Sequence, residues 1–264
     1  MLYDATMNQP DVVAVVLGGG GPSDRFARTT GAPSKALVPL AGAPLGAYVL
    51  SALRARGVVR RIVFIGPTDA GRAGLYDAEV PSGTRMVDSL ALGLGAGLAL
   101  AEGGRLLVVT ADVPWWRAEG VHDFVTTAPD ADLVYPVVGE ADARAAFPQQ
   151  RRTFVRLAEG RFTGGNAILV RAAAVAPLLP WIDRAYAARK RPWQLASMVG
   201  WGTLLGLATG RARLADLERR IATLVGIDGR VIVSRDAAIA ADVDGPEHID
   251  GVSSLPDLRL EGAA

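Results

Sequence analysis

Apolar runs closed by glycine or by a single acid recur along the chain and mark strands, whereas apolar positions three and four apart mark helices. Residues 12–17, Val-Val-Ala-Val-Val-Leu, are wholly apolar and run into Gly18, Gly19, Gly20 and Gly21. That is the pattern of a buried strand ending in a loop that side chains would obstruct. Residues 45–56 carry helical spacing with Gly57 as a stop, and residues 61–66 form the next apolar run. The three segments make a strand, helix, strand unit of the size a parallel sheet needs. Residues 68–83 have no clean period and predict a loop, and residues 84–87 predict a short strand. Asp88-Ser89-Leu90 then opens an Ala/Gly/Leu helix with Asp88 or Ser89 as its N-cap.

Further along, residues 105–112 are an apolar run that delivers Asp112 at its end, with Pro114 stopping the ladder. Residues 132–138 predict a strand, and residues 151–157 and 161–171 predict a hairpin around Glu159-Gly160. From 172 to 191 the spacing is helical, with Pro177 and Pro180 breaking its start; residues 214–225 predict a helix and 230–234 a strand. A sheet-like approach over residues 238–243 ends on Asp244.

Composition changes this picture little. With 264 residues and 50% hydrophobic content, the chain is expected to form one α/β domain over residues 1–264, with a helical insertion at about 172–225. A net charge of +1 gives no reason to expect a nucleic-acid partner. The absence of cysteine excludes disulfides, thiol catalysis and thiolate zinc sites, and fits a cytoplasmic protein. The first ten residues lack the basic and apolar regions of a signal peptide. The uncharged stretch 192–210, interrupted by Gln194, Ser197, Thr203 and Thr209, is expected to be buried or to form an interface between copies in a homodimer, with membrane contact as the alternative.

The glycine loop points to phosphate. Its backbone amides can approach phosphate oxygens, and Arg25 and Lys35 supply cations beside it. It is not a Walker A loop, which would end in Gly-Lys-Ser/Thr, nor a Rossmann fingerprint, because Ser23 stands where Gly or Ala is needed.

Taken with Pro33-Ser34-Lys35-Ala36-Leu37 and the Gly42-Ala43-Pro44 turn, the segment resembles the signature of the MobA-like NTP transferases. The resemblance implies a three-layer α/β/α sandwich with a Rossmann-like, mainly parallel sheet of the nucleotide-diphospho-sugar transferase type. It implies that Leu17, Gly18, Gly19, Gly20, Gly21, Arg25 and Lys35 hold a nucleoside triphosphate, with Asp88 and Ser89 beside its base and ribose. Asp112 matches the family's strand-end Asp-x-Pro, and Asp244 matches the Asp of its Val-Asp-Thr-Pro-Glu-Asp ending, with Gly245 in place of Thr. Both are thereby implied to bind Mg2+, a hard cation that prefers carboxylate oxygen, with Asp242 as a nearby helper. Phe162-Thr163-Gly164-Gly165-Asn166 resembles the family's acceptor-side stretch and makes Thr163, Gly164, Gly165 and Asn166 the acceptor-side residues.

The expected reaction joins an NMP from the NTP to a small phosphorylated or hydroxylated acceptor, with Arg25, Lys35, Asp112 and Asp244 catalytic and pyrophosphate leaving. A glycosyltransferase of the same fold would normally carry Asp-x-Asp, where Thr110-Ala111-Asp112 lacks the first acid. A non-catalytic nucleotide-binding module is the third reading. His122 and His248 lie outside these motifs and are expected to be structural, and Arg151, Arg152 and Arg156 to be solvated rather than bound to an anionic acceptor.

Overall fold

A computed structural model describes residues 12–19, 24–67, 74–188, 200–245, 248 and 260. In chain order the elements are β1 (Val12–Leu17), α1 (Arg25–Thr30), the short ribbon of β2 (Pro39–Leu40) and β3 (Ala43–Pro44), α2 (Leu45–Ala55), β4 (Arg61–Ile65) and β5 (Ala78–Val80). Then come α3 (Met86–Leu100), β6 (Arg105–Thr110), α4 (Ala118–Thr127), β7 (Leu133–Gly139), α5 (Glu140–Ala146), β8 (Val155–Leu157), β9 (Gly160–Gly164) and β10 (Ala167–Arg171). The described chain closes with α6 (Val175–Ala188), α7 (Trp201–Thr209), α8 (Leu214–Val225) and β11 (Gly229–Ser234).

The main sheet runs in the order β5-β4-β1-β6-β10-β7-β9-β8, with β11 on the other side of β7. Strands β5, β4, β1 and β6 are mutually parallel, β11 is parallel to β7, and β10 runs antiparallel between β6 and β7. Alternation along β1 explains the layers. Val12, Ala14 and Val16 pack on the side of α2 and α4, and Val13 and Val15 on the side of α3, α6 and α8. Val12 to Val16 are 0% exposed, which is why the run reads as continuously apolar rather than alternating. The glycines of α3 let it lie close on the sheet: a Cβ on Gly93 would stand 2.2 Å from Ile65 Cδ1, and one on Gly97 2.8 Å from Val15 Cγ2. Among the described residues, no helix is long and apolar enough to cross a membrane.

Several boundaries differ from the sequence reading. The short strand lies at β5, not at 84–87, and α3 begins at Met86 because the Asp88 carboxylate accepts from Arg85 N (3.0 Å), which makes Asp88 its third residue rather than its N-cap. The second arm of the hairpin is two strands, since the chain leaves β9 at Gly165 and Asn166 before re-entering as β10. Pro177 and Pro180 do not break α6. Pro177 falls in the first turn, where its missing N–H is no loss, and Pro180 is carried inside the helix. Residues 237–240 form a 3-10 turn capped by the Asp236 side chain, which accepts from Ala238 N, and not a strand.

The end of β1 tolerates only glycine. Gly18 N donates to Ile65 O (2.7 Å), and a Cβ there would lie 2.5 Å from Phe64 Cζ and 2.6 Å from Ile65 O. Gly18→Ala is expected to lower stability by about 1–3 kcal/mol. Urea denaturation checks this, and an unchanged midpoint would show that the strand end gives way freely.

Candidate active site

Three segments distant in sequence meet beyond the end of β6. The first is the 3-10 turn Lys35–Leu37, which packs against α2 and presents the Lys35 ammonium. The second is Asp112, placed two residues past β6, with Ala111 N bound to Leu17 O (2.9 Å) so that the ends of β1 and β6 are tied together. The third is the chain after β11, which crosses back over the sheet. Asn166 N donates to Ile239 O (2.8 Å) and Val243 N to Asp112 O (2.9 Å), and these two bonds set Asp242 and Asp244 beside Asp112.

The side chains converge. Lys35 Nζ lies 2.6 Å from Asp112 Oδ2 and 2.5 Å from Asp244 Oδ1. Carboxylate oxygens of Asp112, Asp242 and Asp244 lie within 4.8 Å of one another. Arg152 Nη2 pairs with Asp242 Oδ1 at 2.5 Å, so two cations face three carboxylates and one negative charge is left over. Burial opposes the Lys35 charge, but the Asp112 carboxylate and the bonds to both aspartates outweigh it and raise the ammonium above the usual lysine value. Burial likewise opposes the Asp244 charge, yet the bond to Lys35 holds its carboxyl below the usual range. Asp242 is pushed the other way, by burial first and by Asp244 second, against the pull of Arg152.

Asp112 Oδ1 is buried without a hydrogen-bond partner, while Oδ2 is taken by Lys35. A buried carboxylate oxygen with nothing to accept from is costly, and three hard oxygen donors around a residual negative charge suit a divalent cation such as Mg2+.

The other expected residues divide. Gly18 is buried and Gly19 is exposed with φ +33°, and Leu17 carries the carbonyl that holds Ala111; Gly20 and Gly21 lie outside the described residues. Arg25 is the exposed first residue of α1, whose N-cap Asp24 accepts from Phe26 N and Ala27 N. Asp24 is therefore a cap. Asp88 and Ser89 are engaged at the start of α3, Asp88 with Arg85 and Ser89 Oγ with Gly83 N (3.0 Å). Thr163 is buried at the wall of the cleft, and Asn166 Nδ2 reaches Asp242 Oδ1 (3.4 Å). Gly164 and Gly165 serve packing: a Cβ on Gly164 would collide with Tyr135 Oη, and Gly165 N donates to Pro136 O.

Arg152 was not expected here. Its side chain is only 12% exposed and bound to Asp242, not solvated. His248 Nδ1 lies 3.1 Å from Asp244 N and 3.2 Å from Asp242 O, so it props the turn that carries both acids.

The profile of the MobA-like NTP transferase domain matches residues 14–196. The chain belongs to the MobA-like NTP transferase family. Membership makes it a nucleotidyltransferase. Among solved structures, a hypothetical transferase from Thermus thermophilus is 36% identical, with a TM-score of 0.83 over 92% of this chain and 100% of that one. The 2-C-methyl-D-erythritol 4-phosphate cytidylyltransferase of the same organism is 15% identical, with a TM-score of 0.51 over 90% of this chain and 94% of that one. A 4-diphosphocytidyl-2C-methyl-D-erythritol synthase from Anaerococcus prevotii is 9% identical, with a TM-score of 0.56 over 92% and 96%. The last two share the nucleotide-diphospho-sugar transferase fold. No curated protein sequence matches the chain.

Proposed function

We propose that this MobA-like NTP transferase moves an NMP from a nucleoside triphosphate to a small phosphorylated or hydroxylated acceptor, with Mg2+ and release of pyrophosphate, in the cytoplasm. The observation that carries this reading is the Lys35 ammonium bridging Asp112 and Asp244, with an unpartnered Asp112 oxygen beside it. Asp112 and Asp244 would hold the ion. A divalent ion bound there supplies charge neutralisation at triphosphate oxygens and orients the donor.

The chain's own groups do the rest. The Gly18 amide is taken by Ile65 O, so amides of the loop that follows it would meet phosphate oxygens, with Arg25 and Lys35 balancing their charge. An acceptor oxygen forms a bond to the α-phosphorus while the bond from that phosphorus to the α,β-bridging oxygen breaks, and its electron pair leaves with pyrophosphate. A phosphate acceptor is already ionised at neutral pH and needs no general base, whereas a hydroxyl acceptor would release its proton to water as the new bond forms. Most of the acceleration comes from positioning and charge.

The test is pyrophosphate release from each of the four NTPs with a panel of phosphorylated and hydroxylated acceptors. Release is expected with at least one pair, to stop on addition of EDTA and to return with excess Mg2+. Release that survives EDTA removes the metal from the reaction, and silence with every pair removes the reaction.

A further inference from the structure

Asp242 and Asp112 stand side by side but meet different partners. Asp112 gives one oxygen to Lys35 and keeps the other buried without a partner, whereas Asp242 takes a guanidinium and an amide on a single oxygen. Its Oδ1 accepts from Arg152 Nη2 (2.5 Å) and from Asn166 Nδ2 (3.4 Å), and its backbone carbonyl accepts from Gln150 Nε2 (3.3 Å). Gln150 Oε1 in turn accepts from Arg152 Nε (3.2 Å). The ring Asp242, Arg152, Gln150 fixes the guanidinium by two of its nitrogens and leaves Nη1 outside the ring.

That guanidinium lines a cleft of about 210 Å³ which opens directly beside Asp244 and is bounded also by Arg151, Thr153, Thr163 and His248. A part-buried arginine whose plane is locked in advance loses little freedom when it binds an oxyanion, and its fork suits phosphate. Arg151, exposed at the same rim, adds a second positive charge. A carboxylate already neutralised by a guanidinium is a poor competitor for a divalent ion beside one with an open oxygen.

We propose that Arg152 is the clamp for a phosphate group on the acceptor, and that Asp242 is the positioning residue that aims it rather than a ligand of the metal. The word acceptor rests on the transfer reaction proposed above; the clamp itself is a binding site for a tetrahedral oxyanion. It narrows the acceptor to a phosphorylated one, with Arg152 contributing to acceptor affinity and not to the handling of the donor.

The probe is inorganic phosphate, titrated calorimetrically into the full chain, first alone and then with saturating Mg2+ and each α,β-methylene NTP in turn to fill the donor's own phosphate positions. Mn2+ affinity in the nucleotide complex is read by electron paramagnetic resonance. The wild type is expected to bind phosphate in both states. Arg152→Met should weaken the binding by at least about tenfold, and Asp242→Asn by about tenfold, with Mn2+ affinity within about twofold of wild type. Because Arg152→Met leaves the part-buried Asp242 carboxylate without its counter-ion, the double variant Arg152→Met/Asp242→Asn removes both charges and is expected to fold and still lose phosphate. Phosphate binding that survives the double variant overturns the clamp. Loss of Mn2+ in Asp242→Asn as severe as in Asp112→Asn makes Asp242 a ligand and overturns its positioning role. Absence of pyrophosphate release from every NTP would strike the transfer reaction alone, since the phosphate titration of the nucleotide-free chain needs no turnover.

Discussion

Asp112→Asn is expected to cut turnover by about three orders of magnitude while leaving nucleotide affinity within a few-fold. The substitution is nearly isosteric. The amide oxygen can still accept from Lys35, and the backbone bond from Val243 N to residue 112 O is untouched, so the local fold is retained. What disappears is one full negative charge and the oxygen that has no partner in the protein. The triphosphate would still be held by loop amides and by Arg25 and Lys35, but the bond to the α-phosphorus would form without the charge balance that the proposed ion provides. Single-turnover kinetics with a saturating NTP separates the two quantities. A variant that turns over within tenfold of wild type removes Asp112 from the reaction.

Lys35→Met is expected to produce two effects of opposite sign. Turnover should fall by about two to three orders of magnitude, because a cation facing the polyphosphate is lost. Affinity of the nucleotide-free chain for Mn2+ should rise by about tenfold, because the ammonium now occupies the space between Asp112 and Asp244 and competes with any other cation there. Removing it leaves both carboxylates uncompensated, so the variant should melt lower than wild type and recover more on addition of Mg2+. The sign with pH follows from the direction of the shift. The Lys35 ammonium titrates above the ordinary lysine value, so its contribution to stability is fully present below the unfolded lysine range and lost only as pH rises through the folded value. The melting difference between wild type and variant should therefore be flat across neutral pH and shrink only in strong alkali. Mn2+ binding no tighter than in wild type would show that the ammonium does not compete with the ion.

Local pattern made part of this site legible. The apolar runs of β1 and β6 fix both strands and where they end, and strand ends on one side of a parallel sheet must gather at one edge. That argument puts Asp112 just past the end of β6, where the structure has it. Asp244 does come beside Asp112, but not by the strand expected: its approach is a 3-10 turn capped by Asp236 and held by backbone bonds to Asp112 and to the β9/β10 break. Short apolar segments rich in alanine carry no period strong enough to tell a turn from a strand. Arg152 was beyond reach for another reason: its partner lies 90 positions away, and nothing around it in the chain distinguishes a guanidinium fixed on a carboxylate from one in water. The boundary of α3 failed on chemistry that was present in the sequence, because Asp88 can close a helix from its third position as well as from its cap.

The crossing of residues 236–244 over the gap between β9 and β10 has a consequence for biosynthesis. A nascent chain can lay down β1, β4 and β6 while that crossing is still inside the ribosome, and at that stage Lys35 has met one aspartate only. The cluster of Lys35 with its two aspartates is thus completed after the scaffold, once the late segment of a growing polypeptide emerges and docks.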